Sequence, residues 1–404
     1  MNTSISRRWQ WLWVIGCLVA PLAGRAADPL SPNVAKQLQA IAPPIRTPAL
    51  RLGVFDLQPR ATVGVNYDDN ITLSATNRLS DVIWRITPGL SATAENMAAG
   101  QGQSLTVDYE PSFVIFTHHE DEDSIDHLAS LNAKWVMPKL TLELGQRFQQ
   151  TSGAVVEVGQ RVRQRYYDTN LMARYQVSDK TSVEVDPRLH ISDLNGLIGT
   201  TEWGLDAFLN YQVTAKFTTG LGISGGYVDV ENSSSQTYER ALVRAIYALS
   251  GKLDLQGSAG VEWRQFGSDA PDRTGFVFGI GGAYRPSDKT ILTLEAHRRD
   301  DVSSVLVDQD YTATGVTAGL RQRLMERLFV TADGTYENRN YRSTATGVVA
   351  SRQDDFCSIR VGFGANLRRD TTVTIYYQYQ ENRSNAAPQR FSDNQIGLEI
   401  TWVR

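Results

Sequence analysis

The chain has 404 residues, 41% of them hydrophobic, and sets 40 Lys and Arg against 44 Asp and Glu for a net charge of −4. A mean hydropathy of −0.30, with no run beyond the N-terminus approaching the ~18 apolar residues of a membrane helix, excludes a helical membrane protein. The charge balance argues against nucleic acid as a partner. No composition shift after Gly53 marks an interdomain linker, so one large repetitive unit is expected rather than several soluble domains.

At the N-terminus Arg7-Arg8 precede an apolar stretch from Trp9 to Ala23, and Gly24-Arg25-Ala26 supplies small residues for cleavage. Residues 1–26 therefore read as a secretory signal peptide. Val14-Ile15-Gly16-Cys17 has a lipobox-like composition, but the apolar residues after Cys17 are unlike the polar tether that follows a lipidated cysteine. Cleavage leaves Cys357 alone, with neither an intramolecular disulfide nor a cysteine metal cage. Residues 27–56 form a Pro-rich periplasmic tether, in which Ser31-Pro32 can open a short helix carrying Val34, Leu38 and Ile41 as far as Pro43-Pro44.

From Leu57 to Arg404 the chain alternates apolar and polar residues in successive segments. Period-two alternation over roughly ten residues is the signature of a transmembrane β-strand, with one face to lipid and the other to the barrel interior. The expected fold is an all-β, antiparallel up-and-down transmembrane barrel occupying residues 57–404. Eighteen strands are expected, at 57–68, 81–93, 103–116, 126–137, 139–150, 163–177, 181–192, 201–213, 216–229, 236–249, 252–265, 273–285, 289–300, 310–324, 327–339, 353–368, 371–383 and 391–403. Sixteen is the alternative, if two weak segments are loops.

Short turns such as Pro138-Lys139, Val213-Thr214-Ala215, Met325-Glu326 and Arg369-Asp370 alternate with longer loops at 117–125, 151–162, 229–236 and 340–352. That asymmetry places the short turns in the periplasm and the loops outside. Candidate interface aromatics are Tyr67, Tyr109, Trp135, Tyr175, Tyr211, Tyr227, Tyr247, Trp263, Tyr284, Tyr336 and Trp402. Cys357 shares parity with Ile359, Val361 and Phe363, which makes it a small lipid-facing residue.

The opposite parity lines the lumen. Its basic members are Arg85, Lys134, Arg147, Arg174, Arg188, Arg240, Arg244, Arg264, Arg321, Arg323 and Arg360. Its acidic members are Asp108, Glu110, Glu143, Glu184, Asp186, Asp206, Asp254, Glu262, Glu295, Asp333, Glu337 and Glu399. The two signs nearly balance, so charge alone selects neither anions nor cations. Two interiors fit: an aqueous channel, or charges that pair with one another or with an infolded loop to plug the barrel.

Arg161, Arg163 and Arg165 share one parity at a strand end and suit lipopolysaccharide phosphate or an acidic glycan, or simply a solvated edge. The run His118 to Asp123 lacks spaced metal ligands and reads as a solvated loop; Asp68-Asp69-Asn70 reads as an acidic turn rather than a calcium site. His190, Ser192 and Asp186 lie along one strand face as a ribbon, without the convergence a hydrolase needs. No phosphate-binding loop, zinc-protease segment or dinucleotide fingerprint occurs, so no catalytic residue, cofactor or metal is expected.

The opening segment Val63-Gly64-Val65-Asn66-Tyr67-Asp68-Asp69-Asn70-Ile71, the turn from Tyr175 to Thr181 and the glycine-rich strands resemble the β-barrel porin type 2 family over Leu57 to Arg404. The resemblance implies a bacterial outer-membrane barrel, in some members associated with exopolysaccharide export, and carries no catalytic residues. The ending Thr401-Trp402-Val403-Arg404 departs from the terminal aromatic read by the outer-membrane assembly machinery. The function expected is a porin-like channel for small hydrophilic solutes; an accessory barrel for exopolysaccharide export, with export components as partners, is the alternative, and a barrel hydrolase a third. Lipid and lipopolysaccharide are the expected surroundings.

Overall fold

A computed structural model describes residues 50–95, 102–249 and 251–404. The signal peptide, most of the tether with its expected helix, and Ser250 of one turn lie outside them. A short strand β1 (Leu50–Leu52) turns back at Gly53 onto the start of β2, within the stretch expected to be tether.

Eighteen long strands follow: β2 (Phe55–Asp68), β3 (Asp81–Glu95), β4 (Ser104–Phe116), β5 (Ser124–Val136), β6 (Leu140–Val155), β7 (Gln160–Gln176), β8 (Thr181–Leu194), β9 (Thr200–Thr214), β10 (Phe217–Val230), β11 (Gln236–Leu249), β12 (Leu253–Phe266), β13 (Arg273–Ser287), β14 (Thr290–Val302), β15 (Gln309–Arg323), β16 (Leu328–Ser343), β17 (Gln353–Asn366), β18 (Thr371–Ser384) and β19 (Phe391–Val403). Each pairs antiparallel with the next, and β19 pairs with β2 from Gln395↔Asp68 to Val403↔Arg60, closing the ring. Closure leaves no open edge, as a strand-built membrane span requires.

The wall separates its two faces by alternation. Val63, Trp84, Leu90, Leu209, Leu221, Ile223, Ile280, Val361 and Ile375 are exposed on the outer face, where apolar side chains outside a closed ring have lipid as their solvent. Aromatics mark the edges of this belt. Trp135, Tyr175, Tyr211 and Tyr284 stand toward the short turns, and Tyr67, Trp84, Trp203, Tyr227 and Trp263 toward the loops. Trp203 and Tyr211 are eight residues apart on β9, about 26 Å of strand; at the usual ~40° tilt this spans about 20 Å of bilayer. Tyr109 and Tyr336 stand in mid-strand instead, each with its hydroxyl engaged on the outer face, by His127 at 3.0 Å and Asp355 at 2.7 Å.

The loop lengths differ from expectation in one respect. The segment expected as a loop at 151–162 is largely strand, because β6 runs to Val155 and β7 starts at Gln160, while β16 runs only to Ser343 and leaves most of the loop expected at 340–352 in place. The barrel thus rises above the bilayer as strand, and the loops that remain are short: 156–159 between β6 and β7, 303–308 between β14 and β15, and 69–80 between β2 and β3 as the longest.

Candidate functional site

The inner face holds a continuous set of charged side chains. The register carries all the candidate lumen residues onto this face: Arg147 stands opposite Asp168, Arg360 opposite Asp333, and Glu399 opposite Gly64. Most are brought together as ion pairs. Lys134 meets Glu143 at 2.9 Å and Arg360 meets Glu399 at 3.2 Å. Glu184 lies between Arg174 at 2.7 Å and Arg244 at 2.8 Å, and Glu262 lies between Arg240 at 2.6 Å and Arg264 at 2.7 Å. Arg188 bonds Asp206, and Asp254 meets Arg285 at 2.7 Å. Asp108 and Glu110 both hold Arg60, whose parity with Thr62 and Gly64 already marks it as inward although it was not among the candidates. Glu337 gathers Arg339 at 2.6 Å and His297 at 3.1 Å.

The remaining candidates are less enclosed or differently engaged. Arg85 is exposed to the lumen, and Glu295 and Asp333 are half-buried. Arg147 donates to Gln149 at 3.0 Å, Arg323 to the Asp288 carbonyl at 3.4 Å, and Asp186 faces Asp206 in register with one oxygen unbonded.

Four arginines are positioned by one repeated device. At the directly paired positions Phe208↔Gly222, Tyr238↔Gly226, Phe329↔Gly364 and Tyr376↔Gly397, an aromatic ring lies over a glycine. A Cβ at Gly226 would come within 2.5 Å of the Tyr238 ring, and one at Gly397 equally close to Tyr376. Each ring also has a guanidinium over it: Arg244 at 3.9 Å from the Phe208 centroid, Arg240 at 4.3 Å from Tyr238, Arg321 at 5.2 Å from Phe329 and Arg360 at 3.7 Å from Tyr376. Glycine lets the ring lie flat, and the ring then supports the arginine through its π face.

The arrangement is uneven around the ring. The centre of β10 presents Gly220, Gly222, Ser224 and Gly226 inward, and over this bare strip side chains from both sides meet. Arg244 of β11 reaches Glu184 of β8, and Arg188 of β8 bonds the Tyr238 hydroxyl of β11 at 3.0 Å. This arc is packed. Elsewhere inner-face charges stay open to water, with side-chain exposures of 47% for Lys134, 32% for Asp254 and 28% for Asp108.

Above these zones, toward the loops, the outer mouth is crossed. The β6–β7 tip carries Val156 into a buried cluster with Leu73 of the 69–80 loop, Phe356 of β17 and Phe391 of β19. Beside it Glu157 accepts from the hydroxyls of Ser303 and Ser304, at 2.5 and 2.6 Å, and its carbonyl accepts from Arg352 at 2.9 Å. Ser303 and Ser304 follow β14, and Arg352 precedes β17, so one hairpin tip is bonded to two separate parts of the opposite rim. A second inward bend accompanies it. The β13–β14 ladder ends at Phe278↔Arg298, and β14 continues with β15 alone to Val302↔Asp310. Val302 packs against Ile198, Val228, Val230 and Tyr238, while Arg273 of β13 fills the split by holding Asp310. Among the described residues, strand ends rather than an infolded loop lean over the mouth.

Arg161 is drawn inward onto Glu122 at 2.9 Å and over the Phe116 ring, so only Arg163 and Arg165 of that triplet keep to the outer surface. His118 and His119 turn their Nδ1 atoms to the Asp81 carboxylate at 3.1 and 2.8 Å. His190 is bonded through Nδ1 to Asp168 rather than to Asp186, and its buried Nε2 meets no partner, Ser192 included. Cys357 lies on the outer parity of β17 with the exposed Ile359, Val361 and Phe363.

No family model and no curated protein matches the chain. Solved structures do align with it. Pseudomonas aeruginosa OpdK with vanillate is 10% identical, with a TM-score of 0.43 over 86% of this chain and 98% of that one. OccK2 (OpdF) in complex with glucuronate, from the same organism, is 10% identical at a TM-score of 0.46, over 86% and 98%. OpdQ is 10% identical at 0.45, over 87% and 99%.

Proposed function

We propose that the protein is an outer-membrane channel for small hydrophilic solutes whose outer mouth is narrowed by the β6–β7 strap. The reading rests on one observation: a closed ring of eighteen strands with a lipid-facing belt encloses charges that water reaches, Lys134 and Asp254 among them. Water at charged groups inside a wall sealed to lipid is what permeation needs. Both signs are present and largely paired with each other, so weak ion selectivity is expected. Swelling of liposomes containing the refolded protein tests this: swelling in small sugars and amino acids, falling off with solute size, supports it, and swelling no faster than in empty liposomes contradicts it.

The strap favours a second reading, an accessory barrel for polysaccharide export that opens on contact with export components. That reading predicts no solute flux from the isolated protein and flux once a partner is added. Arg163 and Arg165, outside the belt on the loop side, suit lipopolysaccharide phosphate in either case. A hydrolase has no comparable support, since among the described residues no nucleophile meets His190 Nε2.

A further inference from the structure

The seam where the first and last barrel strands meet ends in three carboxylates. One oxygen from each of Asp68, Asp69 and Asp393 lies within 4.8 Å of the others. Asp68 closes β2 opposite Gln395, and the β2–β19 ladder stops there. The first residues of β19 have no β2 partner beyond it; Asp69 takes over, accepting from the Asn394 backbone at 2.8 Å and from its amide at 2.8 Å.

Asp393 is the informative member. Its side chain is fully buried, one oxygen accepts from Gln380 at 2.7 Å and Gln395 at 2.9 Å, and the other meets no donor. Asp68 is also buried, and its bonds come from the Asn70 backbone at 2.8 Å and Gln395 at 3.0 Å, both neutral donors. Elsewhere in the interior, buried Glu184, Glu262, Glu337 and Asp354 each hold an arginine. Among the described residues no Lys or Arg is ion-paired with Asp68 or Asp393, and Asp69 has Arg78 at 3.3 Å. Two buried carboxylates side by side without a cation cost several kcal/mol unless a proton or an ion is supplied.

We propose that Asp68, Asp69 and Asp393 bind one hard divalent cation of the calcium type at the loop-side end of the β2–β19 seam. All-oxygen ligands, two buried and one reaching solvent, suit a cation that takes six to eight oxygens with flexible geometry and retains water. The ion ties the β2 end to β19 where the ladder has run out. Asp68 and Asp69 are adjacent in the chain, but Asp393 comes from the opposite end, so the local segment alone resembles an ordinary acidic turn.

The proposal stands apart from the channel reading and is tested on the full barrel refolded in detergent and stripped with a chelator. Equilibrium dialysis against calcium chloride, with excess potassium chloride to suppress non-specific binding, is expected to give one calcium per chain at about 0.1–1 mM, the range of exposed modules. Asp393→Asn and, as a rim variant that leaves the buried pair intact, Asp69→Asn are each expected to weaken binding at least tenfold while retaining heat-modifiable migration on gels. Calcium should raise the unfolding temperature of the wild type and not of Asp393→Asn. No one-to-one binding by the folded wild type overturns the proposal, as does unchanged binding by both variants; the first result means that the buried pair shares a proton.

Discussion

At the scale of single residues, the interior is organised by carboxylates between arginines and by rings over glycines. Glu262 is 1% exposed and holds Arg240 and Arg264 at once. Its replacement by Ala strands two buried guanidiniums, a loss of about 3–5 kcal/mol; the urea midpoint of the Glu262→Ala barrel should fall accordingly, and an unchanged midpoint means the pairs are solvated. Gly222→Val tests the ring-over-glycine device. Its side chain would displace the Phe208 ring and with it Arg244 from Glu184, at a cost of roughly 1–3 kcal/mol for overpacking, read in the same unfolding measurement. Leu73 shows strain put to use. It holds φ at +53°, a conformation costly for a non-glycine residue, and its side chain is buried against Val156, Phe356 and Phe391 under the strap.

At the scale of elements, the β6–β7 tip is the part most open to test. The Glu157 carboxylate holds Ser303 and Ser304, and Arg352 separately holds the Glu157 backbone carbonyl, so Glu157→Ala and Arg352→Ala should each loosen the tip and the double variant should loosen it further than either alone. Protease nicking near residues 156–159 of the refolded protein measures this: faster cleavage in both single variants is expected, and resistance equal to wild type would mean the tip is held by its apolar contacts alone. Ala154-Val155-Val156 is a run of three apolar residues without alternation, so the strand extension was not read from it. Nor was what the strap touches, since Ser303 lies 146 residues along the chain from Glu157 and nothing local specifies a landing point. The loop expected at 151–162 was mostly strand, and the Arg161 side chain, expected at an exposed strand end, is turned inward by the bend of its hairpin.

At the scale of the whole molecule, the strand number and both faces were legible because a one-residue slip would turn every apolar side chain of a strand to the wrong face. Arg240, Glu262 and Arg264 fall on the inner parity for that reason, and cross-strand neighbours at fixed register then pair them. The uneven lumen was legible only in part: the glycines of β10 are visible in sequence, but the meeting of β8 and β11 side chains above them depends on the closed wall. Likewise Asp168, not Asp186, orients His190, because register places Asp168 directly opposite it. The central claim is a water-filled path enclosed by the wall, with a strap across its outer end. Single-channel recording in planar bilayers addresses it most directly: small discrete conductance steps are expected from the wild type and larger or longer ones from Glu157→Ala, whereas the absence of steps from wild type, Glu157→Ala and Arg352→Ala alike would contradict it.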